Sequence, residues 1–124
     1  MELKNSNSHK SKVRGDDGEL MAVKFLENEG FRILQRNYRF DRGEIYIIAE
    51  INNELVFVEV KSRHSRNFGT PEDAITPIKE SYLKRTAEGY LFQHNLEGKT
   101  CRFDVVAIEW KDGQPEIRHI KKVF

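Results

Sequence analysis

Apolar and polar positions alternate most regularly between Gly43 and Arg63, in GEIYIIAE, two asparagines and ELVFVEVKSR. A period of two on either side of Asn52–Asn53 predicts a β-hairpin, because asparagine tolerates the positive φ that a two-residue hairpin turn requires. In that register Tyr46 faces Glu59 and Glu44 faces Lys61. Side chains alternate across a strand, so Ile45, Ile47 and Ala49 should share one wholly apolar face with Val56, Val58 and Val60. The other face carries Glu44, Tyr46, Ile48 and Glu50 against Leu55, Phe57, Glu59 and Lys61. It is apolar near the turn and ionic at the far end, as a core giving way to a cleft would be.

The rest of the chain arranges itself around this hairpin. Helical spacing runs from Asp16 or Asp17 to Asn28, with Leu20, Val23, Met21, Ala22 and Leu26 on the apolar side and Gly30 as the stop. Acids in the first turn suit the helix dipole. Phe31–Phe40 reads as a strand, with DRG turning into the hairpin. After the loop HSRNFGTPEDA, Thr76 is placed as an N-cap with Pro77 at the first helical position. Ile78, Tyr82, Leu83, Ala87, Tyr90 and Leu91 then form a helical stripe through about Asn95. CRFDVVAIEW has the apolar character of a strand covered on both sides, KDGQP is a turn, and EIRHIKKVF closes the chain as a strand. The predicted order is α-β-β-β-α-β-β, without repeats: a polar, basic tail over residues 1–14, then one α/β domain over 15–124.

Composition narrows the picture. The 124 residues are 38% hydrophobic and 33% charged, with 21 basic against 20 acidic residues. A net charge of +1 gives no global case for a polyanionic partner. Any such case is local, in Lys10, Lys12 and Arg14 or in KSRHSR from Lys61 to Arg66, and on charge alone both read better as solvated segments. No apolar run approaches the roughly 20 residues that span a bilayer, and the start lacks the apolar stretch of a signal peptide. A cytoplasmic location without membrane contact is expected. The single Cys101 is expected to be a buried or half-buried structural thiol, with no spacing that suggests zinc.

Glu59-x-Lys61 at a strand end sets a carboxylate and an ammonium side by side. In metal-assisted phosphodiester hydrolysis the carboxylate holds Mg²⁺, and the lysine steadies the attacking water or the developing charge. Taken alone, the bare pattern reads better as a surface ion pair between Lys61 and Glu44.

Taken together, GDDGELMAVKFLENEGFRILQRNYRF, GEIYIIA, LVFVEVKSR, FGTPEDAITPIKESYLKRTAEGYL, RFDVVAIEW and IRHIKKVF resemble the UPF0102, or YraN-like, family. That family looks like a branch of the restriction-endonuclease-like PD-(D/E)xK superfamily, and is similar in core design to archaeal Holliday-junction resolvases. The resemblance implies a three-layer core with a mixed central sheet flanked by helices. It also implies metal-dependent hydrolysis with Mg²⁺ or Mn²⁺, a nucleic-acid partner in the form of structured or branched DNA, and a homodimer as many such nucleases form. Carried over by motif, Glu59 matches the metal-binding acid, Lys61 the catalytic lysine and Glu19 a helix-borne acid. The Val60 carbonyl is a further candidate ligand. Where the family reads Gly-Glu-Ile-Asp, this chain reads Gly43, Glu44, Ile45 and Tyr46. A phenol stays protonated near neutral pH and is a poor Mg²⁺ ligand. Glu44 is the nearest acid that could stand in. A non-catalytic binding module is therefore the alternative reading.

Arg63, His64 and Arg66 follow the lysine as candidates for phosphate contact, and Arg36, Asn37 and Arg39 for lining the same cleft. Asp104 is expected to pair with a neighbouring arginine. His9, His94 and His119 show no ligand spacing.

Overall fold

The structure, a computed structural model, describes residues 18–63 and 75–124. A helix over 18–28, α1, leads into β1 (Arg32–Phe40), β2 (Gly43–Ile51) and β3 (Glu54–Arg63). Helix α2 (Pro77–Gln93) then crosses to β4 (Cys101–Lys111) and β5 (Gln114–Ile120). The five strands form one sheet in the order β1-β2-β3-β4-β5. The β3–β4 pair is parallel and the others are antiparallel, so the α/β architecture and element order follow the sequence reading. Among the described residues no helix is long and apolar enough to cross a membrane.

Each helix covers one face of the sheet. Ala22, Val23 and Leu26 of α1 bury against Ile47, Ala49, Val56, Val58, Val106 and Ile108. Leu83, Ala87 and Tyr90 of α2 bury against Tyr38, Ile45, Ile48, Leu55 and Phe57. β4 is buried without interruption from Asp104 to Glu109, as a central strand covered on both faces must be.

Asn52 and Asn53 adopt φ of 51° and 67°, and the hairpin ladder pairs Ile47 with Val58, Ile48 with Phe57 and Ala49 with Val56, in the predicted register. The predicted faces hold except at Ile45 and Tyr46, the latter packed against the α1-side cluster and not with Ile48 and Phe57. Ile45 packs in the α2-side cluster, not with Ile47 and Ala49 on the α1 side. The cause lies opposite, at Asn37, whose φ is 55°. Here the β1–β2 ladder passes from Arg36–Ile47 to Tyr38–Ile45, and a left-handed residue inside a strand breaks the pleat and changes its phase.

Four other expectations are corrected. Leu20 is 43% exposed, because the stripe buried beneath α1 runs through residues 19, 22, 23 and 26 and leaves position 20 on its flank. Ile78 and Tyr82 are 69% and 41% exposed, since the buried side of α2 is Leu83, Thr86, Ala87, Gly89 and Tyr90. Cys101 is exposed: it opens β4 at an uncovered end of the sheet. The closing strand starts at Gln114, after a turn with positive φ at Asp112 and Gly113, and ends at Ile120.

Candidate functional site

The hairpin ladder stops at Ile47–Val58, whereas β3 stays paired with β4 through Arg63–Glu109. The sheet thus splits beyond Val58, and the predicted Tyr46–Glu59 and Glu44–Lys61 cross-strand pairs are not formed. The first turn of α2 lies over the split. Thr76 caps that turn by accepting a hydrogen bond from the Lys79 backbone N–H at 3.2 Å, with Pro77 at the helix start. This cap fixes where the Lys79 side chain leaves the helix.

At the mouth of the split, Glu59 is 4% exposed. Its Oε2 accepts a hydrogen bond from Lys79 Nζ at 2.6 Å and lies 3.7 Å from Lys61 Nζ. Two ammoniums therefore share one carboxylate, and a buried carboxylate needs such partners to stay ionised. The lysines respond oppositely. Burial works against the Lys79 charge, but the hydrogen bond and charge of Glu59 outweigh it and hold Lys79 above its ordinary pKa. Burial and then the neighbouring Lys79 charge hold Lys61 below its ordinary value, against the pull of Glu59.

Tyr46 stands beside this triad. Burial raises its phenol pKa first, then the charges of Glu59 and Glu44, with Lys79 opposing and Glu19 adding to the rise. The three acids singled out in the sequence thus surround the hydroxyl electrically, and the phenol stays protonated.

The remaining candidates are spread around this centre. Glu19 lies on the buried stripe of α1, 3.6 Å from Arg36. Glu44 lies 3.6 Å from Arg39, whose side chain is 78% exposed. Val60 packs on the α1 side and is the ladder partner of Val106. Arg63 is half-buried beyond Lys61 and opposite Glu109. Arg66, His64 and the basic tail lie outside the described residues.

These residues do not present a divalent ion with a fitting donor set. Among the described residues no three His, Cys, Asp or Glu side chains form a group that could hold a metal. Glu59 is already neutralised by ammoniums, and Tyr46 beside it is a protonated phenol, a poor ligand for a hard cation.

Two features went unread in the sequence, Lys79 and the groove it lines. Lys79 did leave a signal, since a cation in the first turn of a helix opposes the helix dipole and so implies a nearby anion. The groove, of about 340 Å³, runs between the start of β2 and the first turns of α2.

Asp104 forms a separate cluster. It accepts hydrogen bonds from Arg102 Nε at 3.1 Å and the Lys122 backbone N–H at 3.0 Å, and lies 2.7 Å from His119 Nε2. The expected arginine partner is present. Burial would raise the carboxyl, but the contacts from His119, Lys122 and Arg102 prevail and hold it below its ordinary value. This network ties the segment after β5 to the sheet.

A family model described as "Uncharacterised protein family UPF0102" matches residues 18–108. A UPF0102 protein of Moorella thermoacetica is 44% identical over 110 residues, covering 89% of this chain and 91% of that protein. One of Geotalea daltonii is 42% identical over 123 residues, covering 98% and 97%. One of Symbiobacterium thermophilum is 46% identical over 111 residues, covering 89% and 94%.

Proposed function

The chain belongs to the UPF0102 family, and from that premise we propose that it is a nucleic-acid-binding domain of endonuclease-like design that grips the phosphate backbone through lysines and arginines. The observation that carries this reading is the Lys79–Glu59–Lys61 triad at the sheet split. Two ammoniums against one carboxylate leave a surplus positive charge where a phosphodiester nuclease of this layout would work. Phosphate contacts of this kind position a nucleic acid without reading its sequence. The partner is DNA, structured or branched, and such a partner implies a cytoplasmic location.

A second reading, Mg²⁺- or Mn²⁺-dependent phosphodiester cleavage at the same centre, draws support from one observation: the Glu59 carboxylate and the Lys61 ammonium stand 3.7 Å apart at the end of β3. Lys61 would then steady the developing charge. A homodimer is part of the proposal only by likeness to other nucleases of this design.

Fluorescence anisotropy with a labelled four-way DNA junction separates the readings. Binding should persist in EDTA and weaken steeply with salt. Lys61→Ala should weaken it further and flatten the salt slope by about one unit per lost phosphate contact. Nicking of the junction in Mn²⁺ that Lys61→Ala abolishes would favour the second reading. Absence of binding at low salt would refute both.

A further inference from the structure

Beside the triad, the groove of about 340 Å³ has a wall that the described residues leave uncovered. Ile78 and Tyr82 stand one turn apart on α2, 69% and 41% exposed, beside the Leu83, Thr86, Ala87 and Tyr90 side that is buried; Phe92, the other exposed apolar residue of the helix, lies at its far end away from the groove. The β2 side of the groove is lined by Arg42, Glu44 and Tyr46, and Lys79 and its partner Glu59 also line it. An apolar face with an aromatic ring on one side and cations on the other is the chemistry of a nucleotide site: ring faces take a base, ammonium and guanidinium take its phosphate.

We propose that this groove receives one unpaired nucleotide, its base against Tyr82 and Ile78 and its phosphate on Arg42 and Lys79. The inference rests on the nucleic-acid reading and specifies the state of that nucleic acid. In a duplex both faces of each base are covered by stacked neighbours, so the Ile78–Tyr82 wall has nothing to meet. A base freed from the stack, at a bulge, a loop or the centre of a junction, presents its face.

Size and charge agree with a single nucleotide. The volume sits at the small end of the roughly 300–1,000 Å³ usual for ligand pockets, too little for an oligonucleotide. Glu44 is matched by Arg39 at 3.6 Å and Glu59 by the two lysines, so neither acid bars a phosphate. The Tyr46 hydroxyl, held protonated, is a hydrogen-bond donor on the β2 side of the groove.

The test compares two labelled DNA duplexes of equal length, one perfect and one with a single unpaired nucleotide, by anisotropy in EDTA at fixed salt. The wild type should prefer the bulged duplex by about tenfold, the worth of one modest stacking contact. Tyr82→Ala and Ile78→Ala should each shrink that preference, and Tyr82→Phe should keep it. Both positions are exposed, and unchanged thermal melting of each variant confirms the fold. A wild type with no preference overturns the inference while leaving the nucleic-acid reading intact. So does a preference that Tyr82→Ala does not alter, or equal weakening on both duplexes, which would make Tyr82 a general contact. Failure to bind either DNA, with a peptide or protein partner found at the groove instead, overturns both.

Discussion

Replacing Lys79 by methionine keeps the length of the side chain and removes its charge, which isolates what the ammonium does for Glu59. The carboxylate is 4% exposed, and the lost hydrogen bond, at 2.6 Å, is the shorter of its two cation contacts. Breaking a fully buried ion pair costs about 3–5 kcal/mol. Here the Lys79 side chain is 35% exposed, so solvent screens part of the interaction. Lys61 also remains as a counter-charge at 3.7 Å. A hydrogen bond to a charged group is worth about 1.5–3 kcal/mol, and with that discount Lys79→Met should destabilise the protein by about 1–2 kcal/mol. Urea unfolding should read this as a midpoint lowered by about 0.5–1 M, given slopes of about 1–3 kcal/mol/M for small domains. A double-mutant cycle with Glu59→Gln assigns the loss to the pair, with an expected coupling of about 1 kcal/mol. Additivity of the two substitutions within about 0.3 kcal/mol would refute the reasoning, because it would mean that Lys79 and Glu59 do not depend on each other.

Asp104→Asn should cost about 2–3 kcal/mol by removing the charge that holds Arg102, His119 and the Lys122 N–H, lowering the melting temperature by roughly 10 °C. Because the folded Asp104 carboxyl titrates below its ordinary value, the wild-type advantage should be full above the unfolded value of about 3.9 and vanish as pH falls through the lower folded value; a gap that widens on acidification would contradict this. Gly89→Ala would set a Cβ 2.5 Å from the Phe40 ring, and although alanine gains about 1 kcal/mol of helix propensity over glycine, overpacking against a rigid ring should leave a net loss of about 1–2 kcal/mol in urea unfolding. A stabilised variant would show that α2 can lift off the β1–β2 turn at little cost.

How far the sequence could be read depended on whether a feature was periodic. The hairpin, its register and its asparagine turn followed from alternation that runs unbroken through Ile47–Ile51 and Glu54–Val58. The face of Ile45 did not, because a single positive-φ residue on the neighbouring strand, Asn37, resets the pleat. In α2 the buried side includes Thr86 and Gly89, which a search for apolar residues passes over, and so Ile78 and Tyr82 were assigned to the core when they line a groove. The Glu59–Lys61 contact was legible from strand alternation alone, but the Tyr46–Glu59 and Glu44–Lys61 cross-strand pairs were not formed, because the ladder ends at Ile47–Val58 and nothing periodic marks that split. Lys79 was not legible, since its approach to Glu59 depends on how α2 folds back over the split, a contact 20 residues away in sequence.

The central claim is that Glu59 is satisfied by lysines and that Tyr46 beside it, a protonated phenol, is a poor ligand for a hard cation. Calorimetric titration of Mn²⁺ into the wild type and into the Tyr46→Asp/Lys79→Met double variant, each first shown to be folded, tests it most directly. The account predicts no stoichiometric site in the wild type, and one in the variant, where Glu59 is released and a carboxylate replaces the phenol. A tight one-to-one site in the wild type that Glu59→Gln removes would contradict it.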